Sequence, residues 1–164
     1  MMKRVQEEAL APEVERALYD VFDPEIPALS IMDLGMVRSV TSADGHALVQ
    51  LMPTFMGCPA LSIIRRNVID RVLAVEGVTS ADVEFVYDEP WTTERMTETA
   101  KVRLREFGIA PPACGLLQMN SLTAECPYCR SSHTRLDSLF GPTACRSVFY
   151  CEDCHQPFEA MKPV

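Results

Sequence analysis

Cys126-Pro-Tyr-Cys129 and Cys151-Glu-Asp-Cys154 are two matched pairs, with residues 130–150 between them. A Cys-x-x-Cys turn aims two thiolates at one point, so two such turns complete a tetrahedral shell. That shell suits zinc, at about 2.3 Å per Zn–S bond, and also suits a single iron. Two disulfides are the alternative, but no leader marks the chain for an oxidising compartment. The pattern predicts a zinc ribbon over residues 125–164, in which Cys126, Cys129, Cys151 and Cys154 hold one structural zinc. A module of about 40 residues has too little core to fold alone, so the metal supplies much of its folding energy.

The remaining soft ligands near the ribbon are Cys145, Cys114, His133 and His155. Four thiolates already fill a zinc shell, so Cys145 reads as a non-ligand and both histidines as dispensable. His155 directly follows Cys154, so turning its ring inward would compete with that sulfur. Cys114 lies among Ala113, Gly115 and Leu116 and reads as structural.

Upstream, the 164-residue chain is 48% apolar, enough for one full core beside the ribbon. Val14, Ala17, Leu18 and Val21 recur at helical spacing after Pro12, predicting a helix over 12–22. Asp23-Pro-Glu-Ile-Pro27 cannot continue it and must form a turn or strap. Residues 36–41 and 47–52 read as strands joined at Asp44-Gly45. Leu61, Ile64, Val68 and Val72 mark a second helix closing near Gly77. Ala81, Val83, Phe85 and Tyr87 alternate as a half-buried strand. A third helix, capped by Thr92 or Thr93, carries Met96, Ala100, Leu104 and Phe107. The expected fold is α+β: a small sheet of three or more strands with helices on one face over 1–110, a linker over 111–124, and the ribbon over 125–164.

A formal charge of −8 argues against a surface that neutralises phosphates, so no nucleic acid is expected as partner. No run approaches the roughly 20 apolar residues of a membrane span, and a soluble, cytoplasmic protein is expected. Cys58 stands alone in the first domain, between Gly57 and Pro59. With Pro at the first helical position, Cys58 is expected at or beside the N-cap, where backbone N–H groups favour a thiolate that could react or hold metal. A packed corner residue is the competing reading. Asp23, Glu25 and Asp33 flank turns and are expected to accept backbone N–H bonds rather than to act as catalysts.

Several of these phrases occur together in a known family. Asp23-Pro-Glu-Ile-Pro27, Ile31-Met-Asp-Leu-Gly35, Thr54 through Gly57-Cys58-Pro59, Gly77-Val78 and Glu89-Pro-Trp91 resemble the SufT-like family of small iron-sulfur assembly proteins, over roughly residues 12–110. With Phe107-Gly-Ile-Ala-Pro-Pro112 and the ribbon, the chain is similar to the PaaD (PaaJ) family. One departure is the end Met161-Lys-Pro-Val164, which lacks a further cysteine that the resemblance implies. The resemblance implies an accessory, non-catalytic subunit of the 1,2-phenylacetyl-CoA epoxidase (oxygenase) system in aerobic phenylacetate degradation. It would serve metal-centre or iron-sulfur maturation, with Cys58 as the reactive residue and transient ligand of iron or an iron-sulfur cluster. Its partners would be the oxygenase or reductase subunits, with homodimerisation left open. The alternatives are a purely structural zinc-ribbon interaction subunit and a single-iron electron-transfer protein.

Overall fold

The computed structural model describes residues 2–112 and 123–162, with the side chains of residues 2–9 set aside. The chain divides into two compact units, Met1–Pro53 with Pro59–Trp91, and Thr54–Cys58 with Thr92–Val164. Cys114 and most of the expected linker lie outside the described residues.

In the first unit, α1 (Met2–Leu18), β1 (Val37–Ala43), β2 (His46–Leu51), α2 (Leu61–Leu73) and β3 (Ser80–Phe85) follow in order. The sheet runs β1-β2-β3, with β1 antiparallel and β3 parallel to β2. Asp44 and Gly45 join β1 to β2 with φ of 51° and 80°. Two successive positive φ angles match the twist of an antiparallel pair, and Asp-Gly tolerates them. Parallel strands need a longer crossover, which α2 supplies. Ala47, Val49 and Leu51 are buried on one face of β2, with Val83 of β3. Ile64, Val68 and Val72 of α2 and Val14 and Leu18 of α1 are buried in the same unit's core, at helical spacing.

The proline strap is an ordered loop. The Asp23 carboxylate accepts the N–H groups of Glu25 (2.7 Å) and Ile26 (3.0 Å), fixing a turn that sinks Ile26 and Leu29 into the core. Asp33 accepts the Ser30 hydroxyl (3.0 Å), while that hydroxyl accepts the Asp33 N–H (3.0 Å). Both carboxylates are thus engaged in turn bonding. Gly35, with φ of 65°, closes the following turn, and the buried Trp91 indole N–H donates to the Leu34 carbonyl at 2.8 Å.

The second unit contains a short 3-10 helix (Thr93–Arg95), α3 (Glu98–Glu106), β4 (Ile109–Ala110), β5 (Thr134–Ser138), β6 (Arg146–Cys151) and β7 (Pro157–Met161). Its sheet runs β4-β7-β6-β5. The strands β5, β6 and β7 form an antiparallel meander, and β4 adds to β7 in parallel. Phe149 and Phe158 stack with centroids 5.7 Å apart over this small core.

The helix ends differ from those expected. Helix α1 begins at Met2 and carries Pro12 inside it; Ala9, Leu10 and Ala11 are good helix formers that continue the helix ahead of a proline, which forgoes one i→i−4 bond and crowds the carbonyl four residues earlier. The third helix begins at Glu98 rather than after Thr92 or Thr93, because Met96 is extended, with ψ of 137°. Thr97 is the cap, its hydroxyl accepting the Ala100 N–H at 3.0 Å.

Replacing Trp91 by Phe keeps most of the ring but leaves the buried Leu34 carbonyl without its indole donor. The expected cost is about 1–3 kcal/mol, read as a lower urea midpoint by circular dichroism.

Candidate metal centre

The ribbon's two Cys-x-x-Cys turns fold in the same way. Arg130 N–H donates to the Cys126 carbonyl and His155 N–H to the Cys151 carbonyl, each at 3.0 Å. Cys126 N–H donates to the Ser131 carbonyl (2.9 Å), and Cys151 N–H to the Gln156 carbonyl (3.0 Å). The residue after each second cysteine turns back with positive φ, 65° at Arg130 and 58° at His155. This reversal directs two sulfurs of each turn inward. His155 therefore serves as a backbone corner, a role legible in hindsight from its place matching that of Arg130.

The turns bring four sulfurs together. Ligand atoms of Cys126, Cys129, Cys151 and Cys154 all lie within 4.8 Å of one another, the one such group of three or more metal-ligating side chains among the described residues. The Cys126–Cys154 sulfurs are 3.7 Å apart and the Cys129–Cys151 sulfurs 3.5 Å. A regular tetrahedron with Zn–S bonds of 2.3 Å has edges of roughly 3.8 Å, whereas a disulfide needs about 2.05 Å. The separations fit a shared cation and not cross-links. Cys126 and Cys151 are buried, Cys154 is half-buried and Cys129 is exposed.

Without a cation these thiols do not ionise alike. The N–H groups of Cys154 and Asp153 lower Cys151 to about 7, against the effect of burial. Burial, with the neighbouring thiols, pushes Cys154 up to about 12. At Cys129 the Ser131 N–H bond is the largest influence and lowers the thiol, but burial and the Cys151 and Cys126 thiols outweigh it and the net direction is up. Opposed preferences of this kind are removed by a divalent cation, which deprotonates coordinating thiols. Zinc in this shell would supply folding energy rather than chemistry, since a closed four-thiolate site leaves no open coordination position.

The other candidates sit elsewhere. Cys145 is buried, with its sulfur 3.3 Å from the Thr143 hydroxyl, outside the four-sulfur group. His133 Nδ1 lies 3.3 Å from Asp153 Oδ1. Cys58 is half-buried in the loop Thr54–Cys58, its N–H donating to the Phe55 carbonyl at 3.3 Å. The expectation that Cys58 lies at or beside the N-cap of the following helix is corrected: α2 starts at Leu61 and its N-cap is Ala60, already helical at φ −76° and ψ −10°, two residues beyond Cys58. A further turn at Pro59-Ala60 separates the thiol from the first helical residue.

Residues 12–84 match the iron-sulfur cluster assembly protein family, and residues 110–162 match the PaaD zinc beta ribbon domain. The chain thus joins an iron-sulfur-assembly fold to a four-cysteine ribbon. It is 42% identical over 152 residues to an Escherichia coli (strain K12) protein named as a subunit of 1,2-phenylacetyl-CoA epoxidase, covering 92% of this chain and 91% of that one. The chain belongs to the PaaD family. The Fe-S protein maturation auxiliary factor YitW of Bacillus subtilis (strain 168) is 35% identical over 99 residues, 60% of this chain and 96% of that protein. Among solved structures, a domain of unknown function, DUF59, from Bacillus anthracis superposes with a TM-score of 0.57 and 33% identity, covering 62% of this chain and 96% of that one. No helix among the described residues is long and apolar enough to cross a membrane.

Replacing any of Cys126, Cys129, Cys151 or Cys154 by Ser should abolish stoichiometric metal and loosen the ribbon, seen as loss of the Phe149 and Phe158 ring contacts by NMR. The wild-type protein should bind one zinc per chain. Because thiolates must be reprotonated for the metal to leave, acidification should release it with proton uptake, and alkaline pH should retain it. Zinc retention unchanged down to about pH 3 would contradict a thiolate site.

Proposed function

We propose that this chain is an accessory, non-catalytic subunit of a 1,2-phenylacetyl-CoA epoxidase system, acting in the cytoplasm in maturation of a metal centre or iron-sulfur cluster of that oxygenase. The observation that carries this reading is the occurrence of both modules in one chain, aligned over nearly its whole length with the Escherichia coli epoxidase protein. The maturation factors related to residues of the first module support the type of work.

In this reading the four ribbon cysteines hold one structural zinc, and the ribbon presents a docking face to an oxygenase or reductase subunit. Iron or an iron-sulfur cluster is cargo, held transiently through Cys58. Gly57, beside it, is exposed, so a client can approach the thiol from that side. The closed sulfur cage keeps its metal as part of the ribbon core and suits permanence rather than hand-over. Division of labour follows, with a fixed metal for shape and a separate thiol for exchange.

A second reading is favoured by one specific observation. Cys58 is only half-exposed and lies before, not at, the cap of α2. That placement suits a structural subunit in which Cys58 is inert. Iron analysis of the oxygenase and reductase from cells with the wild-type chain, without it, and with Cys58→Ser separates the two. Maturation through Cys58 predicts severalfold lower iron and activity in both altered strains. Low values in the deletion alone would favour the structural reading, and normal values in both would remove the maturation role. Isolated zinc protein should be colourless, whereas visible thiolate-to-iron absorption would favour single-iron electron transfer.

A further inference from the structure

We propose that Asp153 is the lock of the metal centre: its carboxylate ties the two cysteine turns together and sets how slowly the metal exchanges. The inference rests on reading the four cysteines as metal ligands, and it assigns a positioning role to a side chain that touches no sulfur in that reading.

Asp153 stands inside the second turn, between Cys151 and Cys154. One of its carboxylate oxygens accepts the Ser131 hydroxyl, and the other lies 3.3 Å from His133 Nδ1. The Ser131 oxygen in turn accepts the His133 N–H at 2.9 Å. Ser131 and His133 belong to the chain leaving the first turn, so these bonds run from one turn to the other. The neighbouring residue repeats the link: Glu152 N–H donates to the His133 carbonyl at 2.9 Å, and Arg135 Nε donates to the Glu152 carboxylate at 2.7 Å.

The positions joined are those that hold the sulfurs. Ser131 stands two residues after Cys129 and its carbonyl accepts the Cys126 N–H at 2.9 Å, while Asp153 stands two residues after Cys151. The Cys129 and Cys151 sulfurs are neighbours at 3.5 Å. The Ser131–Asp153 side-chain bond therefore ties the residue just after the first turn to the second turn and restrains the spacing of this pair before a metal arrives. It also guards the accessible side. Cys129 is exposed, while Cys126 and Cys151 are buried, so an attacking chelator reaches the metal first beside Cys129. For exchange, the Zn–Cys129 bond breaks, the freed thiolate takes a proton from solvent, and a chelator nitrogen or oxygen fills the vacated position. Moving Cys129 outward requires Ser131 to move with it, and Asp153 resists.

The competing effect of Asp153 is charge, and its sign is opposite. Zinc with four thiolates carries a net negative charge, which a nearby carboxylate repels. If charge dominated, removing the carboxylate would slow metal release. If the lock dominates, removal speeds release. Asn keeps one oxygen to accept the Ser131 hydroxyl and puts an NH2 donor in place of the other, where His133 Nδ1 can accept it, so it should preserve the bridge, whereas Ala removes it.

The test uses the full chain loaded with zinc, competed with the chromophoric chelator 4-(2-pyridylazo)resorcinol, after metal content has been measured. Asp153→Ala and Ser131→Ala should release zinc about tenfold faster than wild type, the lower end of effects from groups supporting metal ligands. Asp153→Asn should stay near the wild-type rate, a rescue that general destabilisation would not give. Should Asp153→Ala fail to hold metal as purified, the Ser131→Ala rate decides. Release from the alanine variants within about twofold of wild type, or slower, overturns the lock. A wild-type chain lacking stoichiometric metal overturns the four-cysteine reading itself, and the lock with it.

Discussion

Four sulfurs gathered within 4.8 Å of one another are the constraint on which the ribbon depends. The buried cluster around them is Ala110, Cys126, Phe149, Cys151, Phe158 and Ala160, so two of its six members are themselves cysteines. Core and metal shell are one object here. Ionised sulfurs at such distances repel, and protonated ones contribute only weak hydrogen bonds, so apolar burial by a handful of residues must be joined by a cation to hold the meander β5-β6-β7. The two aromatic rings stack above a centre whose charge balance decides whether they have anything to stack on.

Much of this was legible because its causes are local in the chain. A Cys-x-x-Cys turn carries its geometry within four residues, and the repeat of the motif named the four sulfurs. Asp44-Gly45 declared a hairpin for the same reason, since the loop's positive φ angles are a property of those two residues. The alternation of Ala81, Val83, Phe85 and Tyr87 identified a half-buried strand, which is β3 as far as Phe85. Where several weak signals competed, reading failed. Two threonines ahead of Met96 looked like caps, yet Thr97 is the one whose hydroxyl meets a free N–H. Pro59 suggested a helix start, but the first helical turn waits until Leu61. The Ser131–Asp153 contact was beyond reach because it depends on the register of β5 against β6, which sequence spacing does not state.

The relation between the two modules is clearest in the relatives. The Bacillus subtilis maturation factor is matched over 96% of its length by 60% of this chain, so the first fold occurs elsewhere as nearly an entire protein. Here a ribbon follows it, and the Escherichia coli relative is matched across both. The closed cage of four ribbon sulfurs favours permanence, whereas Cys58 is a half-buried thiol in a turn outside that cage.

The parallel pairing of β4 with β7 bears on how such a ribbon can be inherited. Ile109 and Ala110 are distant in sequence from the first cysteine, yet they lie against Glu159 and Ala160 and satisfy one edge of β7. A fragment cut just ahead of Cys126 would keep all four sulfurs and bare that edge, leaving unpaired backbone groups ready to recruit another chain. Gene fusion that transplanted the cysteine motif alone would therefore create a sticky graft. The smallest heritable cassette is longer than the motif that advertises it, because its border is drawn by a hydrogen-bonded strand instead of by the metal.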